Sequence, residues 1–258
     1  MEPRQGVLMS RGWIVVAACL AALSGCAKEG PAADDGVPVD FSGVWLPDAT
    51  RAEAWPAELP LTAEARAELA SFNPILHDPT TFCMPYGTPR NMLQTDYPLE
   101  IVQTPLRVTM ILQPNLANSE VRRIPLDSSV FPDSPDPSWF GVSRGRWEGR
   151  TLVVETIGLR PDALVSGNGL RHSGELRVVE RLTLSQDAER GTVLVDEIEL
   201  HDPKSFEEPL KTRRYFVRAP HTQLREPANC IELEWIDKLW RQRLEEHAAE
   251  GRKAGRSR

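Results

Sequence analysis

The chain has 258 residues, with 37 acidic side chains against 30 basic ones and a net charge of −7. That balance excludes the basic footprint of a nucleic-acid binder. With 41% hydrophobic residues it is long enough to bury a core, and no repeat of solenoid or propeller length is evident.

Residues 1–11 carry Arg4 and Arg11 against Glu2, and residues 13–23 are continuously apolar. This is the length of a signal-peptide core and falls short of the ~20 residues of a membrane span. The run ends in Leu23-Ser24-Gly25-Cys26, which resembles the bacterial lipobox. The resemblance implies diacylglycerol transfer to the Cys26 thiol, cleavage before Cys26 and acylation of the new amine. The competing reading is a buried helix or an uncleaved anchor. Met9 is an alternative start, because residues 9–11 still supply a basic segment. Two or more acyl chains anchor stably to a lipid bilayer. Ala27, standing where Asp would resemble an inner-membrane retention signal, points to the periplasmic face of the outer membrane. Residues 1–25 carry two basic groups and one acidic. A chain starting at Cys26 therefore has 28 basic and 36 acidic groups, a net charge of −8. Residues 26–39 are small, polar and Pro/Gly-containing and read as a flexible tether.

Cys26 would carry lipid, which leaves Cys83 and Cys230. An exported chain with two such cysteines invites a disulfide. Closing a loop of 147 residues contributes roughly 5 kcal/mol in the chain-entropy model. Two buried thiols are the alternative.

From there the expected elements run in chain order. A first strand covers 41–46. A helix covers 62–72, with Thr62 as cap, Glu64 in the first turn and Pro74 beyond its end. Residues 73–97 read as a long ordered loop or clamp. Strands follow at 99–104, 106–113, 120–126, 142–147, 151–157, 175–185, 192–201 and 210–217. Turns at Thr104-Pro105, Glu148-Gly149-Arg150 and 186–191 separate some of them. A C-terminal helix at 233–249 presents Leu233, Ile236, Trp240 and Leu244 as an apolar stripe. Short turns imply antiparallel pairing. The fold expected is mainly β: a meander closing into a lipocalin- or calycin-like barrel, which removes exposed edges. A two-sheet sandwich is the rival. The domain limits are a signal peptide 1–25, a tether 26–39, a barrel 40–232, and a helix with a basic tail 233–258.

Several residues invite chemistry. Gly43-Val44-Trp45 on the first strand resembles the Gly-x-Trp of lipocalins, whose tryptophan closes one barrel end; a strand tryptophan packed on a core explains it equally. Gly141-Val142-Ser143-Arg144-Gly145 satisfies Gly-x-Ser-x-Gly, but a hairpin follows Ser143 where a nucleophile elbow needs a helix. Glu180 shares a period-two face with Leu176, Val178, Leu182 and Leu184. It must therefore be paired or titrate high. Arg213 or Arg214 is the expected partner, and His172 a possible acid/base companion. Asp78, His77, His201 and Asp202 lack metal-ligand spacing, so neither metal nor cofactor is expected. The rigid stretch 83–90 presents Tyr86 and Arg90.

Three segments taken together carry a broader likeness: 82–90 (FCMPYGTPR), 145–156 (GRWEGRTLVVET), and 168–173 leading to Val179-Glu180-Arg181. They resemble a large family of uncharacterised exported bacterial proteins over about residues 41–230. The turn Glu148-Gly149-Arg150 departs from the Gly-Asp usual there, which makes Arg150 a poor functional residue. The resemblance implies domain limits and no reaction.

The leading expectation is a membrane-anchored lipoprotein that binds a small, largely apolar molecule in the barrel. Tyr86, Arg90, Trp147, Asn168, His172, Glu180 and Arg213 are its ligand contacts. One alternative is a hydrolase or acid/base enzyme using Ser143 or the Glu180/His172 pair. The other is an envelope scaffold for another protein.

Overall fold

The structure is a computed structural model. It describes residues 39–93, 97–113, 119–126, 131–225, 238, 240–243 and 245–246. The signal peptide, Cys26, Cys230 and most of the expected C-terminal helix lie outside the described residues. Of that helix, residues 238, 240–243 and 245–246 are described, and all are helical.

Among the described residues, nine strands form one sheet: β1 (Gly43–Pro47), β2 (Leu99–Thr104), β3 (Arg107–Leu112), β4 (Glu120–Pro125), β5 (Val142–Glu148), β6 (Thr151–Ile157), β7 (Arg177–Asp187), β8 (Gly191–His201) and β9 (Leu210–Arg218). Their order is β4-β3-β2-β1-β9-β8-β7-β6-β5, and every pair is antiparallel. This is the expected meander, with strand boundaries shifted by one or two residues.

The sheet curls until its two edges, β4 and β5, touch without a hydrogen-bonded ladder. Gly145 makes that approach possible. A Cβ there would lie 2.9 Å from Leu126 Cδ2 and 3.0 Å from Ile124 Cγ2, closer than side chains pack. The result is a nearly closed barrel with a seam.

Alternation then sorts the side chains. Leu152, Val154, Val178, Leu182, Leu194, Ile198, Leu200 and Phe216 face inward and are buried. The outer face carries cross-strand ion pairs. Glu155 sits between Arg144 (2.7 Å) and Arg177 (2.5 Å), and Glu197 meets Arg213 (2.8 Å). The exposed Glu197–Arg213 pair contributes on the order of 0.2–1 kcal/mol; Glu155 is itself buried between its two arginines.

Trp45 is fully buried. Its indole N–H donates to the Phe41 carbonyl at 2.9 Å, and the Arg218 guanidinium lies 4.8 Å from its ring centroid. This marks the lower end of the barrel, where β1 begins and the β2–β3 and β5–β6 turns lie. Phe41 stacks on Trp147 there, with ring centroids 5.7 Å apart.

The upper end is covered by segments between β1 and β2. α1 (Ala63–Ala70) starts at Thr62, whose hydroxyl accepts from Ala65 N–H at 3.3 Å, the cap read from the sequence. The stretch expected as one long loop contains α2 (Pro74–His77), a 3₁₀ turn (Pro79–Phe82) and α3 (Arg90–Leu93). Asn73 and Asp78 cap the first two of these with side-chain oxygens. Periodicity missed them because four-residue helices complete barely one turn.

Candidate functional site

The inward wall of the barrel is not uniformly apolar. Register places Glu180 beside Val154 and Ile198, so its carboxylate points into the core, as period two requires. Its partner is Arg122 of β4, across the seam. Arg122 donates to both oxygens, at 2.8 and 2.6 Å, and both side chains are 1% exposed. The expected partners do other things. Arg213 faces outward to Glu197 and Glu53. Arg214 is half-buried and donates to the carbonyls of Leu93 and Glu53 and to the Thr212 hydroxyl. Arg122 also reaches Thr156 Oγ1 at 3.3 Å, and Thr156 shares a hydrogen bond of 2.8 Å with the Ser143 hydroxyl.

Asp196 completes this group. It pairs in register with Leu182 on β7 and Arg214 on β9 and is wholly enclosed. Neither of its carboxyl oxygens has a hydrogen-bond partner, and neither does Arg122 Nε. Burial, reinforced by the Glu180 charge and only partly opposed by Arg122 and Arg214, pushes the Asp196 carboxyl well above the usual carboxylate range. Six adjacent strands, β4 to β9, thus contribute Arg122, Ser143, Thr156, Glu180, Asp196, Thr212 and Arg214 to one polar interior.

Two recesses open onto the barrel. One, of about 240 Å³, lies along the seam, lined by Arg122, Ser138, Phe140, Gly141 and Ser143. The other, of about 440 Å³, is the lower mouth, lined by Ser42, Gln103, Pro105, Leu126 and Trp147.

The remaining candidates fall elsewhere. Arg90 is buried and engages Asp78 through two hydrogen bonds, at 2.8 and 2.9 Å, while its guanidinium lies 4.1 Å from the Tyr86 ring centroid. It fastens the clamp instead of presenting a charge. Burial raises the Asp78 carboxyl, but Arg90 and the Thr80 N–H outweigh that and hold it below its ordinary value. Glu120, at the start of β4, accepts from Tyr86 N–H (2.5 Å), Gly87 N–H (3.2 Å) and the Asn91 amide (3.1 Å). Burial nevertheless leaves its carboxyl raised. Asn168 is exposed, in a loop outside the barrel.

His172 hydrogen-bonds the carbonyl of Ser173 and lines a separate outer cleft. The structure joins it to neither Ser143 nor Glu180, whose partners are Thr156 and Arg122. The acid/base pair and the serine–histidine pair expected as alternatives are therefore not assembled. His77 caps back onto the Asn73 N–H, His201 meets Glu199, and Asp202 accepts from Ser173. Among the described residues no three His, Cys, Asp or Glu side chains gather as a metal site.

Arg122 and Asp196 went unnoticed in the sequence. The signal existed for Asp196: Leu194, Ile198 and Leu200 share its face by the rule that picked out Glu180. Arg122 stands next to Arg123, and two adjacent arginines conceal which one faces inward.

No protein-family model matches the chain, and no curated protein matches it.

Proposed function

We propose that the protein is an envelope lipoprotein, anchored through acylated Cys26, that binds a small, largely apolar molecule in its barrel. The molecule's polar end meets Asp196 and Arg122. One observation carries this: a fully enclosed carboxyl with no donor stands beside an arginine with an unused N–H. An unsatisfied buried polar group costs about 1–3 kcal/mol, so a barrel serving only as a scaffold gains nothing from keeping one. The apolar wall and a few placed polar groups fit the usual make-up of a small-molecule site. The ligand class follows as an apolar body with a hydroxyl or amine donor for Asp196 and an acceptor for Arg122 Nε.

A Cys83–Cys230 bridge belongs to the same reading. The Cys83 sulfur is engaged in a bond, and an exported chain provides the oxidising compartment. So does membership of the exported bacterial family, which the clamp segment 82–90 and the hairpin segment 145–156 support.

Native mass spectrometry of the protein extracted from its own membranes tests the proposal. The expected spectrum shows acyl chains on Cys26, a mass lower by two hydrogens for the bridge, and a bound small molecule that Asp196→Val loses. A spectrum without bound mass, or with the same mass in Asp196→Val, overturns the ligand site.

A further inference from the structure

The described chain begins at the lip of the lower mouth. Val39 is buried, and its carbonyl accepts from the Gln103 side-chain amide at 2.8 Å. The oxygen of the same amide accepts from the Phe41 N–H at 3.1 Å. Gln103 lines the mouth recess together with Asp40, Ser42 and Trp147. The Asp40 carboxylate there accepts from the Ser42 N–H at 2.9 Å and lies in the field of Arg218. Thirteen residue steps separate Val39 from Cys26. A chain of that length spans at most about 45 Å, and about 20 Å as a coil.

The same end carries an apolar tip. Leu106, in the β2–β3 turn, is 74% exposed, more than any other large hydrophobic side chain among the described residues. The turn is fixed in place. The Thr104 hydroxyl donates to the Arg107 carbonyl at 3.0 Å and accepts from the Arg107 N–H at 3.1 Å, and the Leu106 carbonyl accepts from the Leu126 N–H at 3.0 Å. One exposed leucine needs no explanation by itself; its surroundings do. The outward rows of β2, β3 and β4 behind it read Val102–Thr109–Arg123 and Thr104–Arg107–Pro125. Neither row holds an acidic side chain. Arg107 and Arg123 are exposed and make no ion pair among the described residues, whereas Arg144, Arg177 and Arg213 on the outer face all have carboxylate partners. In a chain of net charge −7, this is an unneutralised basic patch beside an apolar point. The β7–β8 turn at the same end differs, with Asp187 paired to Arg51 and Glu189 exposed.

We propose that the β2–β3 side of the lower rim seats on the anionic phospholipid surface that holds the anchor, so that the lower mouth opens onto lipid. Leu106 enters the boundary between headgroups and acyl chains, and Arg107 and Arg123 lie against lipid phosphates. This rests on the reading of Cys26 as the lipid anchor: one leucine and two arginines suffice because the attachment already keeps the rim close to the membrane.

The test uses the full acylated protein, purified from its membranes and reconstituted into vesicles of phosphatidylethanolamine and phosphatidylglycerol. An environment-sensitive fluorophore is attached at Leu106→Cys in one sample and at Glu189→Cys in another, with the parent chain labelled in parallel as background. Nitroxide-labelled lipids are expected to quench the probe at 106 and to leave the one at 189 bright. The double variant Arg107→Ala/Arg123→Ala, at exposed positions, is expected to lower the ratio of seated to unseated 106 probe roughly thirtyfold. Intact masses of the same samples report the acyl chains. Acylated protein with an unquenched 106 probe overturns the seating and leaves the anchor standing. So does equal quenching at both positions, or an unchanged ratio in the double variant. A 106 probe shielded only at high protein density and indifferent to nitroxide lipids marks a second copy as the occupant and overturns it too. Protein without acyl mass removes the anchor, and the seating with it.

Discussion

Replacing Asp196 by valine should make the protein more stable and less able to hold its ligand. The side chain is fully enclosed and neither oxygen has a donor. Valine is close in size, favours strands and removes the unsatisfied group, worth about 1–3 kcal/mol. For a domain of this size each kcal/mol moves Tm by about 2–4 °C, so the expected gain is about 2–12 °C. The gain depends on pH in a definite direction. The folded Asp196 carboxyl sits above its unfolded value of 3.8. Its contribution to stability is therefore fully present below that pH and is lost as pH rises toward the folded value. Urea midpoints of parent and variant should lie closest near pH 4 and diverge toward neutrality, the variant being the more stable. Calorimetry from pH 4 to 8, paired with native mass spectra, reads both effects. A variant that loses more than about 2 kcal/mol and keeps its bound mass would refute the reasoning, since the carboxyl would then be a satisfied structural partner.

Three further outcomes follow from the same geometry. Arg122→Leu strands Glu180 in the core and should cost about 3–5 kcal/mol in urea unfolding, whereas Arg122→Leu/Glu180→Leu should recover most of it. If the double variant is as unstable as the single one, the pair is not the unit it looks to be. Asp78 is held below its ordinary value chiefly by Arg90, against the opposing effect of burial. Its contribution is thus present above about pH 4 and lost as pH falls through the folded value; Arg90→Gln should flatten the acid limb of the stability profile below pH 4. Ser143→Ala removes one hydroxyl bond to Thr156 and should cost about 0.5–1.5 kcal/mol. An esterase activity of the parent chain that this variant abolished would displace the binding reading.

How much of this was legible depended on whether the information was local. The nine strands were legible because period-two alternation and turn chemistry are written in neighbouring residues, and Thr62 announced α1 by its cap. Glu180 was legible as a buried carboxylate for the same reason. Its partner was not: Arg122 lies 58 residues away and meets Glu180 only because the sheet curls far enough to bring β4 across to β7. Arg213 and Arg214, nearer in chain order, looked equally plausible, since alternation alone does not say which of two consecutive arginines points inward. The clamp's charge was misjudged likewise. Arg90 looked presented because its stretch is rigid, yet Asp78, twelve residues earlier, neutralises it.

The seam connects these facts to function. A fully paired barrel would hold Arg122 in a ladder on both sides. Here β4 ends the sheet, and Arg122 lines the seam recess while its guanidinium reaches inward to Glu180. The most charged part of the interior therefore lies behind the least bonded part of the wall. Parting β4 from β5 breaks no backbone ladder; what it breaks is the set of hydrogen bonds from Arg122 across the seam to Glu180 and Thr156. A route to Asp196 along this seam leaves every backbone ladder intact, and the buried Arg122–Glu180 pair is the contact that holds it closed. Bulk at Gly145, which tightens or wedges the seam, should alter the rate of ligand exchange before it alters the fold.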